Sequence, residues 1–350
     1  MFQEILKNKL GALSLATLLI LYMVVALASF FAPYFYDQDD VLYSYAPPTK
    51  IHFFDSETKH IGPFIYGQKY KINEYYQRIY YEDKTKIYPI KFFSKGFEHK
   101  LLGFLKTDRH LLGVDNPAKI YILGADLKGR DIFSRILYGG RISLSIGLIG
   151  ATISLGIGLL VGGIAGYFGG RVDNFIMRIC EMIMMIPSFY LMLALRASFP
   201  PNLSSTQIYI LIVVILSFIG WAATARVIRG MAMSLRENEF VYAAKSIGLS
   251  HFKIIIRHIL PHTLSYALIA IVLRIPSYIM GEAALSLIGL GIQEPEASWG
   301  NLLSSAMGIV NIRLFPWILT PGIFIILTVV CFNVLGDTLR DILDPKRKIL

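Results

Sequence analysis

Residues 142–165 read ISLSIGLIGATISLGIGLLVGGIA, an apolar run from Ile142 to Ala165 without one charged side chain. A helix of roughly 20 apolar residues crosses about 30 Å of hydrocarbon, so this run is long enough to span a bilayer. Gly147, Gly150, Gly156, Gly158, Gly162, Gly163 and Gly166 recur through and just beyond it. Small residues at such spacing let helix backbones approach closely, the usual association mode in lipid, so these glycines are expected to serve packing and not a ligand.

Comparable blocks recur, and six spans are expected at about 11–31, 142–165, 174–195, 207–228, 264–291 and 315–336. The third reaches full length only if Phe175–Cys180 is included, which brings in Arg178 and Glu181. The fifth carries Arg274 and Pro276. With 55% hydrophobic residues and a mean hydropathy of +0.55, the chain exceeds what a soluble fold can hide. The fold class is an all-α integral membrane protein with a small insertion of mixed or β structure.

Gly11–Phe31 is longer than a signal-peptide core, although Ala26-Leu27-Ala28 mimics a cleavage site, so it is expected to stay as the first helix. Cys180 and Cys331 each sit inside an apolar block and read as inert buried thiols. The net charge of +10 forms no single basic face, which argues against nucleic acid.

Lys7 and Lys9 precede the first span. Arg171 follows the second, Arg226, Arg229, Arg236, Lys245, Lys253 and Arg257 crowd the connection before the fifth, and Lys346–Lys348 close the chain. Positive charge beside short connections marks the cytoplasmic side, so both termini are expected there, in a multi-pass arrangement. The expected organisation is a cytoplasmic N-terminus (1–10), a first helix (11–31), an external insertion (32–121), an interfacial segment (122–141), a five-helix core (142–336) with a long inner loop (229–262), and a cytoplasmic tail (337–350). Within the insertion, Ile51–Phe54 and Tyr88–Phe93 read as short strands, with Asp55 and Ser94–Gly96 as turns. Gly129–Arg141 fits an interfacial helix whose arginines anchor to lipid headgroups.

The inner loop contains Phe240-Val241-Tyr242-Ala243-Ala244-Lys245-Ser246-Ile247-Gly248 and then Leu249 to His258-Ile259-Leu260-Pro261. A short helix capped by Gly248, a new start at Ser250 and a second helix stopped at Pro261 would make a compact knob. Ala243 and Ala244 offer a small-residue patch, while Phe240, Val241 and Ile247 are apolar groups that a partner could cover. Packing on its own bundle is the competing reading of the same residues.

This Ala-Ala-x-x-x-Gly core with its His258-Ile259-Leu260-Pro261 ending resembles the coupling-loop motif of binding-protein-dependent ABC importer permeases. Tyr242 stands where that motif has Glu, and His258, where it has Ile, is similar to the dipeptide and oligopeptide branch. Three further segments resemble the second, C-type permease of the branch. Leu123-Gly124-Ala125-Asp126 through Gly129-Arg130-Asp131 to Ser134-Arg135 is one. Glu282 to Gly291, running on to Trp299-Gly300, is another, and Gly336-Asp337 through Arg340-Asp341 to Asp344-Pro345 is the third.

The resemblance implies a type I importer permease fold in a bacterial cytoplasmic membrane. It implies a second homologous permease, two cytosolic ATPases that use ATP and Mg, and an external solute-binding protein. The chain itself would bind no cofactor and catalyse no reaction, and di- or oligopeptides would be the solute. Nickel or another solute of the same family, or a secondary transporter or channel using Glu181 or Glu282, are the rival readings.

Gly124-x4-Gly129 has the spacing of a phosphate-binding loop, but Arg130 and Asp131 occupy the Lys and Ser/Thr positions, and Asp131 would repel phosphate. His258 and His262 are expected to be separated by a break at Pro261, and no Gly-x-Ser-x-Gly or His-Glu-x-x-His motif occurs. Arg178 and Glu181, one turn apart, can pair. Arg274 and Glu282 are too far apart to do so and need partners on other helices.

Overall fold

The computed structural model describes residues 2–55, 59–101, 104–200 and 202–343, so Asp344 and Pro345 lie outside the described residues. Among them, five helices are long and apolar enough to cross a membrane: Lys9–Ala26, Ile132–Phe168, Ser205–Leu235, His251–Leu287 and Pro316–Leu343. A sixth candidate is the pair Gly170–Met185 and Ser188–Ala197, which bends by 88° at its break. Pro187 accounts for the bend, because it cannot donate an amide hydrogen bond and disfavours helical geometry at Ile186, whose ψ is 125°.

The helix expected from residue 142 starts ten positions earlier, at Ile132. Asp131 explains the start: its Oδ2 accepts the Ser134 backbone N–H at 2.8 Å and the Ser134 hydroxyl at 2.6 Å, a side-chain cap on the first turn. The anticipated interfacial helix is thus the opening of one continuous helix.

The chain divides into two compact units. One takes the described residues up to Leu19, Leu144–Gly291 and those from Ile325 on; the other takes Ile20–Ser143 and Ile292–Phe324. In the first unit the glycine stripe, Gly156 apart, does what its spacing predicts. A Cβ on Gly162 would lie 2.4 Å from the Ala225 carbonyl oxygen, and one on Gly166 would lie 2.4 Å from that of Arg229. The helices Ile132–Phe168 and Ser205–Leu235 therefore meet backbone to backbone.

The second unit holds the β structure. Strands β1 (His52–Phe54), β2 (Ile61–Ile72) and β3 (Arg78–Pro89) form an antiparallel sheet in that order, and β4 (Lys91–Leu101) pairs with β5 (Leu105–Gly113). The expected strand Tyr88–Phe93 is divided between β3 and β4, and Ser94–Gly96, expected as a turn, continues β4. Ser94 pairs with His110 and Lys95 with Arg109 before the register shifts. Gly96 stays in the strand because the His110 ring occupies the place of a side chain: its Cδ2 lies 2.5 Å from where a Cβ would be.

Candidate functional site

The loop 229–262 folds as a knob on the first unit. Helix Glu239–Ser246 ends at Ile247, and Gly248 takes φ +78°. The Gly248 N–H donates to Lys245 O at 3.0 Å and the Leu249 N–H to Ala244 O at 3.2 Å, the two bonds of a Schellman cap, which requires a left-handed residue at Gly248. Ser250 then stands before His251–Ile254 in extended backbone, without a side-chain capping bond.

Pro261 does not end the helix that follows. A π turn at Ile255–Ile259 and a 3₁₀ turn at Leu260–Thr263 carry the chain into helix Leu264–Leu287. The wider turn, with Leu260 N–H donating to Ile255 O, relieves the clash a proline ring makes with a regular helix. His258 and His262 therefore lie on one continuous helical segment, and no group of three metal-binding side chains occurs among the described residues.

Val241 and Ala244 are not on the outward face. Both are buried in a cluster with Tyr167, Ala232, Ile254, Ile255 and Ile259, against which Phe240, Leu249 and Leu260 pack. Spacing of three on a helix puts Val241 and Ala244 on one side, and full burial of a valine stabilises by about 1.5–3 kcal/mol. The opposite face is open: Ala243 is exposed, as are Tyr242, 49% exposed, and Ile247, 75% exposed. His258 is half-buried and Pro261 exposed. Packing on its own bundle therefore describes the face of Val241 and Ala244, and the face of Tyr242, Ala243 and Ile247 is left open.

Tyr242 donates to Glu237 Oε2 at 2.7 Å, and Arg236 Nε donates to Glu237 Oε1 at 2.8 Å. These two bonds hold the Glu237 carboxyl below its usual range, the Tyr242 bond being the stronger cause. Lys245 Nζ lies 5.4 Å from the Tyr167 ring centroid and 5.2 Å from that of Tyr242. Glu237 belongs to no motif in the sequence, and only the fold brings it to Tyr242.

In the second unit, the segment 124–135 wraps around Asp126. Its Oδ1 accepts the backbone N–H groups of Lys128 at 2.9 Å and Arg130 at 3.0 Å. Its Oδ2 accepts Arg130 Nε and Arg135 Nη1, each at 2.8 Å. Arg130 also pairs with Glu294, which accepts Lys128 Nζ at 2.7 Å. Arg130 and Arg135 are therefore buried ion-pair partners and not headgroup anchors, because the carboxylates that pair with them lie beside them in the protein. Gly129, at φ +74°, admits no Cβ, which would fall 1.8 Å from the Asp40 carbonyl oxygen. Glu294 was not singled out in the sequence. Burial alone would raise its carboxyl, but the Arg130 and Lys128 bonds outweigh this and hold it at about 2. Asp131, fully enclosed, is pushed up by burial to about 7 in spite of its Ser134 bonds.

Trp299 is fully buried in the same unit; its indole N–H donates to Ile136 O at 3.0 Å, and its backbone N–H donates to Ser143 Oγ at 3.1 Å. Gly300 is buried next to it. In the first unit Glu282 is buried and accepts the Ser286 hydroxyl at 2.7 Å. Arg178 pairs with Glu181 at 2.9 Å as expected, and Arg226 joins at 3.3 Å. A Cβ on Gly336 would meet Leu273 Cδ2 at 2.2 Å, whereas Asp337, Arg340 and Asp341 are exposed. The buried Asp173, which no motif marks in the sequence, accepts Arg229 Nε at 2.8 Å.

Residues 158–349 match the family described as binding-protein-dependent transport system inner membrane component. The chain belongs to this family. It is a membrane subunit of an ABC transporter and carries no enzyme activity of its own. Residues 1–48 match a second family, the N-terminal TM domain of oligopeptide transport permease C. The chain is 40% identical over 232 residues to the dipeptide transport system permease protein DppC of Bacillus subtilis, covering 66% of this chain and 70% of that one. It is 41% identical over 227 residues to the oligopeptide transport system permease protein OppC of Haemophilus influenzae, covering 65% of this chain and 70% of that relative. An inward-facing MetNI methionine ABC transporter structure overlays with a TM-score of 0.44 at 15% identity, over 60% of this chain and 97% of that one.

Proposed function

We propose that this chain is the C-type permease of a di- or oligopeptide importer in a bacterial cytoplasmic membrane. It would have the type I permease fold with the bent pair Gly170–Ala197 counted as a sixth span and both termini cytoplasmic. Its partners would be a homologous permease, two cytosolic ATPases that consume ATP with Mg, and an external solute-binding protein. The chain itself holds no cofactor in this reading. The β insertion would then face outward, and the organisation by residue would follow the order set out above.

The observation that carries the reading is the two-faced knob. Its inner face is sealed by Val241 and Ala244 against the bundle, and its outer face presents Tyr242, Ala243 and Ile247. Tyr242, Ala243 and Ile247 stand together on the exposed side of one short helix, and an apolar patch of this kind is where a partner protein would dock. A load applied to Ala243 and Ile247 would be transmitted to helix Leu264–Leu287 through the unbroken segment at Pro261. ATP-driven closure of the ATPases would thereby shift the bundle between inward-facing and outward-facing states. The peptide-permease relatives favour peptide over nickel as solute, and the family match disfavours a secondary transporter.

Uptake of a labelled tripeptide into cells producing the complete transporter tests this. Uptake should survive collapse of the proton gradient and stop on ATP depletion, and a tagged chain should copurify with an ATPase. Uptake that follows the proton gradient and ignores ATP would overturn the proposal.

A further inference from the structure

Arg274 lies within the span His251–Leu287, where a charge is costly, on the order of 2.5–3.5 kcal/mol at a helix centre even on the lenient insertion scale. Its Nη1 donates to the Gly220 carbonyl at 2.7 Å. Among the described residues no carboxylate oxygen comes within 4.0 Å of its guanidinium, a situation it shares with Arg196 of the same unit, which donates to the Leu290 carbonyl at 2.7 Å. Arg274 lines a cavity of about 630 Å³ together with Ser277, Ser188 and three methionines, Met184, Met192 and Met280. That volume falls in the range of small-ligand sites, roughly 300–1,000 Å³.

The cavity has a second positive element. The break at Pro187 lies on its wall, and helix Ser188–Ala197 begins there with no side chain capping its first turn. Non-helical backbone at membrane depth is tolerated where it lines a cavity, and the N-terminus of a broken helix favours negative charge. Apart from Tyr278, the rest of the wall is apolar and rich in methionine, which adapts to flanking groups of different shape.

We infer that this cavity is a solute site in which Arg274, supported by the helix start at Ser188, receives a carboxylate while the methionines accommodate variable side chains. On the peptide reading proposed above, on which the choice of ligand rests, the group is the C-terminal carboxylate of the peptide in transit. Arg274 is a binding residue here, and its charge is balanced only when the cavity is loaded.

The test uses the assembled transporter in membrane vesicles, with Cys180→Ala and Cys331→Ala to remove native thiols and Ser277→Cys as a reporter. A sulfonate-bearing methanethiosulfonate and its trimethylammonium counterpart label the reporter. Tri-alanine should slow labelling at least about tenfold, and its C-terminal amide should not. Arg274→Gln should abolish protection and lower the anionic-to-cationic labelling ratio by about tenfold, with Arg274→Lys retaining part of both. Equal protection by tri-alanine and its amide, or an Arg274→Gln chain with unchanged protection and ratio, overturns the site. So does dissociation of the permease pair by Arg274→Gln with the ratio unchanged, since Arg274 would then serve the subunit interface. Arg274-dependent protection by succinate but not by tri-alanine retains the carboxylate site and overturns the peptide reading alone.

Discussion

The Tyr242 hydroxyl, at the position where the family motif carries Glu, donates a 2.7 Å hydrogen bond to the Glu237 carboxylate in the preceding turn. Tyr242 is half exposed and its loss leaves no buried group unpaired, so Tyr242→Phe should change stability by less than about 0.5 kcal/mol. Peptide uptake should nevertheless fall, because Glu237 loses the bond that holds it on the exposed face. Tyr242→Glu should not restore uptake, since it sets two carboxylates side by side. Uptake rates measured alongside melting temperature check both outcomes. A Tyr242→Glu chain more active than wild type would refute this role of Glu237.

Gly248 separates strain from space. A Cβ there meets nothing within 4 Å, yet φ is +78°. Substitution cost should therefore track conformational preference and not size. Asn should be tolerated, Ala should cost about 1–2 kcal/mol and Val more, with coupling to ATP hydrolysis lost in the same order. Gly248→Trp should uncouple transport for this reason. ATPase stimulation by loaded binding protein, measured across the four variants, reports the order.

How much of this was legible depends on the distance over which each residue is satisfied. The apolar blocks announce their helices because a period and a length suffice, and Gly248 announces its cap because the required φ is local. Arg130 and Arg135 were misread as lipid anchors because Glu294 lies 164 positions from Arg130, and nothing in either segment names the other. The start at Ile132 was legible in principle, since Asp131-x-x-Ser134 is a capping pattern. So was the burial of Val241 and Ala244, three positions apart on one helix face. Ser94–Gly96 misled because a glycine that makes room for the His110 ring looks like a glycine that turns the chain.

The glycine stripe yields a graded prediction. Gly162→Val drives a side chain into the Ala225 backbone, 2.4 Å from the new Cβ, where no rotamer change can relieve it. It should cost about 1–3 kcal/mol or prevent assembly. Gly156 meets nothing within 4 Å, so Gly156→Ala should be neutral or slightly stabilising, as expected for a helix interior. Thermal melting in detergent, with yield of folded protein, distinguishes the two.

Trp299 is held by its indole N–H as well as by its bulk. Trp299→Phe keeps most of the packing but removes the indole donor that lies 3.0 Å from the Ile136 carbonyl, itself a helical acceptor, and should cost about 0.5–1.5 kcal/mol. Trp299→Ala adds a cavity and should cost about 3–5 kcal/mol. If Phe and Ala prove equally damaging in a melting series, packing is not the larger contribution.

Asp131 and Glu294 give the second unit opposite pH dependences. The Asp131 carboxyl, raised by burial to about 7, holds a proton in the folded chain that the unfolded chain releases near pH ~4. Its contribution is therefore full below about pH 4 and is lost as pH rises towards 7. The Glu294 carboxyl, held at about 2 by Arg130 and Lys128 against the effect of burial, contributes above pH ~4.5 and loses this as pH falls towards 2. Asp131→Asn keeps an acceptor for Ser134 but cannot ionise. The melting temperature of the variant minus that of wild type should therefore climb between pH 4 and 7 and level off above. Glu294→Gln should show the complementary pattern, its deficit shrinking as pH is lowered from about 4.5. A flat Asp131→Asn difference across pH 4 to 7 would mean that Asp131 is ionised throughout, with the Ser134 bonds outweighing its burial.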